Sequence, residues 1–238
     1  MPAELPAGIA DAFSYADAIR TDEHPSMWYR RKADGAGEPR FVRDDPLRDE
    51  RSIPVGSSVQ QLVDDLHLSV ALHADDVFVH AGVVAWQGAA ILVPGRSHTG
   101  KSTLVEALVR AGATYCSDEY ARVTAEGSIA PYARPIQLRS DSGRRTVDAT
   151  TIGAVAHHPL PPSLVLFTRF VSGASFDPEP VLPAAAALEL YDNTVVAEVR
   201  PDDATSAAAH IARTATAVRT ERPNAEEVAA AVLELATR

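Results

Sequence analysis

The residues best suited to chemistry lie in one short run, Gly95-Arg96-Ser97-His98-Thr99-Gly100-Lys101-Ser102. It matches G-x-x-x-x-G-K-[ST], in which glycines let the backbone curl around phosphate oxygens, a lysine reaches the β and γ phosphates and a hydroxyl meets magnesium. Lys101 and Ser102 take the last two roles, and Gly95 through Thr103 form the candidate nucleotide-binding segment. A phosphate loop also needs a carboxylate for the metal or its water shell. Asp118-Glu119 follows the next apolar stretch, and so offers one group for metal and another for a proton. Each feature has a plainer reading. The first is also a glycine-containing strand-to-helix turn, and Ser117-Asp118-Glu119 is also a strand end with solvated charges. Agreement among the motif, the strand before it and the helix after it favours nucleotide binding.

The flanking elements are legible from periodicity. Val77 to Trp86 and Ala89 to Val93 are apolar runs separated by Gln87-Gly88, a hairpin whose second strand is buried on both faces and feeds the loop. After the loop, Leu104, Val105, Leu108 and Val109 make a helical stripe that stops at Gly112. That helix aims its N-terminal amides and positive dipole end at the loop. A strand over Ala113 to Cys116 follows, and in the same sheet it carries Asp118 towards the loop. Upstream, apolar residues from Val59 to Leu72 predict a helix to about His73, with Ser57 or Ser58 as N-cap. The segment before Pro54 reads as irregular with edge strands. Glu126-Gly127 is a turn between short strands, and Leu164 to Phe167 is a buried strand. The alanine-rich last third reads as helices over 183–191, 203–217 and 224–237, the last with Asn224 and Glu227 as a capping box.

Other residues invite weaker readings. Arg134, Arg139, Arg144 and Arg145 could clamp a phosphate or an anionic acceptor, or form a solvated basic loop, and are treated as surface residues. Arg96 either reaches a phosphate or faces solvent. His157-His158 has no further ligand at metal spacing and is read as surface.

Beyond these individual readings, the chain resembles a known family. Phe78-Val79-His80-Ala81-Gly82-Val83-Val84, the loop Gly95 to Thr103, Ala111-Gly112-Ala113 and Ser117-Asp118-Glu119-Tyr120-Ala121 stand in the order seen in the catalytic domain of HPr kinase/phosphorylase. The resemblance covers about Phe78 to Arg139. It implies an α/β fold with a P-loop core of the HPr kinase/phosphoenolpyruvate carboxykinase type, here with a C-terminal helical region. It also implies ATP and Mg²⁺ as cofactors and a serine-type hydroxyl as acceptor. By the resemblance, His80 lies near the phosphates, Lys101 and Ser102 hold nucleotide and metal, and Asp118 takes the acceptor's proton. Glu119 stands where the family has a second, metal-coordinating aspartate, so Ser102, Glu119 and Asp118 are the implied metal ligands and Asp118, His80 and Lys101 the catalytic set. The chain departs from the family pattern at His98, which replaces a loop glycine, and at Gln137, which replaces a glutamate. The segment that contacts HPr is not recognisable, which leaves the acceptor open: a small molecule, a peptide or a protein.

Composition narrows the partners. The 238 residues are 46% hydrophobic, enough for a sizeable core, and carry a net charge of −10, which repels nucleic acid and anionic membrane except at a local site. The single cysteine, Cys116, excludes an internal disulfide framework and reads as a small buried side chain. No run of about eighteen apolar residues and no basic leader occur, so the expectation is a cytoplasmic chain without nucleic-acid or membrane partners. The expected organisation is a single HPr-kinase-like domain over 1–238, with strands and a helix over 1–75, the catalytic core over 76–172 and helices over 173–238. The expected activity is a kinase. A nucleotide hydrolase or phosphorylase, and a regulatory protein that binds nucleotide without transfer, are the alternatives.

Overall fold

The computed structural model describes residues 28–33, 35, 39–48, 51–54, 59–95, 99–140 and 143–237. The chain divides into two compact units, Met1–Ala74 and Asp75–Arg238.

In the first unit, β1 (Trp28–Ala33), β2 (Pro39–Asp44) and β3 (Arg51–Pro54) form an antiparallel sheet in that order, followed by α1 (Val59–His73). Edge strands are expected here amid irregular chain; the described residues pair as one sheet, and residues 1–27 lie outside the described residues. Local pattern is weak here because a charged residue, Arg43, lies among the buried positions of β2. Its charge is met by Asp65 of α1, whose carboxylate takes Nη1 at 2.7 and 2.9 Å, with Arg48 on the same group at 2.9 Å. Buried charges persist when paired in this way, and a partner so distant in sequence leaves no local signature. The expected N-cap serines of α1 lie outside the described residues.

The second unit opens with β4 (Val77–Trp86) and β5 (Ala89–Pro94), antiparallel and joined by Gln87-Gly88. Both turn residues have positive φ, 50° and 84°, the geometry whose twist matches a two-residue hairpin. Then come α2 (Lys101–Arg110), β6 (Thr114–Ser117), β7 (Tyr120–Val123) and β8 (Ile129–Ala130). A hairpin of β9 (Ile136–Ser140) and β10 (Gly143–Val147) follows. The chain continues through β11 (Pro162–Phe170), β12 (Glu179–Pro180), α3 (Pro183–Asp192), α4 (Pro201–Thr214), β13 (Thr216–Arg222) and α5 (Ala225–Leu235).

The main sheet runs β12-β13-β11-β5-β4-β7-β8, with β6 also paired to β4. Strands β5, β11 and β13 are parallel, and the sheet as a whole is mixed, so the fold is α/β. Val84, Ile91, Val93, Leu164, Leu166 and Val218 meet Leu104 and Leu108 of α2 and Val228 and Val232 of α5 in one apolar cluster. The alternate residues Val165 and Phe167 are buried outside that cluster, on the face where α4 packs. Covering both faces is what makes strands such as β5 continuously apolar.

The last third is not purely helical. The helix expected to reach Ala217 ends at Thr214, and Thr216–Arg222 enters the sheet beside β11. Partial alternation of buried and exposed residues decides it, with Ala217, Val218, Thr220 and Arg222 buried. The expected capping box also differs. Asn224 Nδ2 donates to Glu227 Oε1 at 2.6 Å, side chain to side chain, and no side chain caps the amides of α5.

Candidate active site

The backbone after β5 is shaped by two glycines. Gly95 has φ 151°, and its N–H donates to the carbonyl of His80 at 3.2 Å, extending the β4–β5 pairing by one bond. Gly100 has φ 84°, a left-handed conformation that favours glycine, and its carbonyl starts α2 by accepting Leu104 N–H at 3.0 Å. Arg96, Ser97 and His98 lie outside the described residues. Thr99 is half-buried and Thr103 is exposed. A third glycine, Gly82 of β4, permits α2 to lie close, since a Cβ there would stand 2.6 Å from Val105 Cγ2.

Lys101 is buried at the first position of α2, and its Nζ donates to the Gly95 carbonyl at 2.6 Å. Burial pushes its pKa below the ordinary value, against the opposing charges of Glu119 and Asp118.

The carboxylates stand at a break in strand pairing. Ser117 pairs with Val83 and Tyr120 with His80, so Asp118 and Glu119 lie across from Ala81 and Gly82. Ala81 N–H donates to the Glu119 carbonyl at 3.1 Å, and Ser117 Oγ accepts the amides of Glu119 and Tyr120 at 3.3 and 3.1 Å. This is the expected convergence by a longer route. From β5, α2 crosses over to β6 with β4 lying between the two strands.

Asp118 is 1% exposed. Its Oδ2 accepts Ser102 Oγ–H at 3.2 Å and Gln137 N–H at 3.0 Å, while Tyr115 O–H reaches Oδ1 at 3.4 Å and shares its proton with the Arg134 carbonyl at 2.7 Å. Burial raises the Asp118 pKa, moderated by the Arg134 charge and the Gln137 amide. The same burial, with the Asp118 charge beside it, holds the Tyr115 hydroxyl well above its ordinary value. Glu119 behaves in the opposite way. Burial alone would raise it, but the hydrogen bond from His80 and the charges of Arg134 and Lys101 hold it below the ordinary carboxylate range. Its side chain is 32% exposed and lies 3.4 Å from His80 Nδ1, and the His80 ring is tilted against Tyr120 at 4.8 Å.

The remaining sequence candidates separate. Arg134 is buried, which corrects its reading as a surface residue, because its charge is matched by the Asp118 and Glu119 pair. Arg145 is exposed, 3.7 Å from Glu106. Arg139 and Arg144 face each other in the β9–β10 register. His157 and His158 are exposed. Cys116 is buried, and desolvation pushes its thiol up to about 12. Sequence reasoning missed Tyr115 and the Gln137 amide, and it also missed Arg222, whose Nη2 donates to the Gly100 carbonyl at 2.9 Å. An arginine closing an alternating strand was the one available signal for it.

Among the described residues, no group of three or more His, Cys, Asp or Glu side chains is gathered to hold a metal alone. The donors present near the loop, Ser102 Oγ and the Asp118 carboxylate, are hard oxygens. They suit Mg²⁺, which keeps waters and arrives with phosphate ligands rather than in an all-protein cage. Among the described residues no helix is long and apolar enough to cross a membrane.

No protein-family model matches the sequence, and no curated protein matches it. Among solved structures, the chain is similar to the HPr(Ser) kinase/phosphatase from Coxiella burnetii at 15% identity. The match covers 67% of this chain and 93% of that one, with a TM-score of 0.37. A likeness this distant carries nothing about activity.

Proposed function

We propose that the chain is an ATP- and magnesium-dependent phosphotransferase acting on a serine-type hydroxyl. The observation that carries this reading is the 3.2 Å contact between Ser102 on the first turn of α2 and Asp118 at the β6–β7 break, beside a buried lysine that donates to the Gly95 carbonyl. Hydroxyl, carboxylate and ammonium are the three groups that handling Mg-triphosphate requires. The α2 amides and dipole favour the same charge.

The geometry suggests a division of labour between the carboxylates. Asp118, buried and bonded to Ser102, is suited to fix the metal-side hydroxyl. Glu119, ionised, partly exposed and steadied by His80, is suited to meet the acceptor. In transfer, the acceptor oxygen bonds to the γ-phosphorus, the bond to the β-phosphate oxygen breaks, ADP leaves and the hydroxyl proton passes to Glu119. In a loose transition state that proton leaves late, so a carboxylate of low basicity orients the hydroxyl more than it strips it. Magnesium, when bound, neutralises charge on the phosphates. Lys101 holds the phosphate oxygens once its bond to Gly95 is exchanged for them.

The test is incubation of the purified chain with γ-labelled ATP, magnesium and a panel of serine, serine peptides and proteins. Label on a serine oxygen supports the kinase. Phosphate release without an acceptor makes it a hydrolase, and binding without turnover makes it a nucleotide-responsive regulatory protein.

A further inference from the structure

Arg222 ends β13 on the edge where the parallel strands finish, beside the end of β11 at Phe170 and the loop that leaves β5. It is 2% exposed. Nη2 donates to the Gly100 carbonyl at 2.9 Å, Nη1 donates to the Pro223 carbonyl at 3.1 Å, and the guanidinium lies 6.0 Å from the Phe170 ring centroid. Nε is buried without a hydrogen-bond partner. Among the described residues no carboxylate pairs with this charge, and the neighbouring Glu221 is taken by Arg169.

A buried guanidinium normally keeps an anion beside it, because desolvating the charge costs several kcal/mol that carbonyl dipoles only partly offset. Arginine does not escape the cost by losing its proton. The uncompensated charge also sits at the start of α2, a ten-residue helix whose first amides and dipole draw anions. Gly100 is fitted to it: a Cβ there would fall 2.6 Å from Arg222 Nη2. A buried cation without its anion and a helix start built on glycine thus meet at one carbonyl.

We infer that Arg222 is a positioning residue of the phosphate site, and that a phosphate group bound at the loop supplies the negative charge the buried guanidinium lacks. The inference rests on the nucleotide-site reading and deepens it by adding a cation from β13 that lies outside the loop motif. Arg222 acts through the Gly100 carbonyl and through its charge. It fixes the junction from which the Lys101 and Ser102 amides leave.

The experiment compares wild type, Arg222→Met, Arg222→Lys and Lys101→Ala, titrated with pyrophosphate and Mg-ATP by calorimetry and melted without ligand. Exchanging a buried charge that has no ion-pair partner for an apolar residue of similar size removes its desolvation cost. Arg222→Met should therefore melt at or above wild type when empty, yet bind both probes roughly tenfold more weakly, with most of the loss recovered in Arg222→Lys. Wild-type affinity in Arg222→Met overturns the inference, as does a lowered empty melting temperature that alone accounts for lost binding. Wild type that binds neither probe overturns the loop reading instead, and the inference with it. If Arg222→Met does not fold, hydrogen exchange on wild type decides. Pyrophosphate should slow the amides of 219–222 together with those of 99–104, and protection confined to 99–104 overturns the inference.

Discussion

Ser102 Oγ donates to Asp118 Oδ2 across 3.2 Å, joining the first turn of α2 to a carboxylate from the break between β6 and β7. The bond closes because Gly82 lets α2 lie against β4, and because β4 pairs with the strands on both sides of that break. The hydroxyl and the carboxylate are thereby fixed by the packing of α2 on β4 and by strand pairing at the β6–β7 break.

Lys101→Ala should weaken Mg-ATP binding about a hundredfold or more, since a buried phosphate site loses its point charge and its donors together. Calorimetry checks it; unchanged affinity would show that the loop holds no triphosphate.

Magnesium should matter to stability as well. The melting temperature should rise more with Mg-ATP than with ATP in chelator, because on the proposed reading Ser102 and Asp118 would bind the triphosphate through the metal. Equal shifts in the two conditions would remove the metal from the site.

The two carboxylates should part in kinetics. Glu119→Gln should keep nucleotide affinity and lose roughly a hundredfold in transfer, the usual scale for loss of a proton-handling group. Asp118→Asn should instead raise the magnesium needed for half-maximal rate, with excess magnesium restoring part of it. The reverse pattern would return the proton-handling role to Asp118.

They should also part in pH dependence. The folded chain holds the Asp118 proton at pH values where the unfolded chain has lost it, so that contribution is complete below the unfolded value and is lost as pH rises through the raised folded value. Removing the carboxylate should help most where it is ionised. The melting temperature of Asp118→Asn minus that of wild type should therefore increase as pH rises above the ordinary aspartate value. Glu119 is depressed, so its contribution is present above the ordinary value and is lost as pH falls, and Glu119→Gln should show a difference of the opposite sign. Scanning fluorimetry of the three proteins across pH reads both; parallel curves would refute both assignments.

Gly82→Ala should destabilise by about 1–3 kcal/mol, the cost of forcing a methyl group into a packed interior, because the new Cβ would meet Val105 Cγ2 at 2.6 Å. Adding Val105→Ala should recover much of the loss. Denaturant unfolding of the single and double variants measures it, and strictly additive losses would show that the two sites do not touch.

What this sequence determined by itself is local. The Gln87-Gly88 hairpin, the span of α2 and the stop at Gly112, which has φ 109°, follow from residues that neighbour one another in the chain. Glycine conformational freedom and apolar periodicity act over a few residues and need no distant partner. The candidate loop and the acidic pair were legible for the same reason. Tertiary structure decided which carboxylate is buried, that Arg134 joins them, and that Arg222 backs the loop from a strand near the far end of the chain. It also placed Thr216–Arg222 within the sheet, where flanking alanine-rich segments had suggested helix. Burial and charge compensation are set by groups brought together from distant parts of the chain. A buried arginine and a solvated one are therefore written identically in sequence, and only the packed sheet distinguishes them.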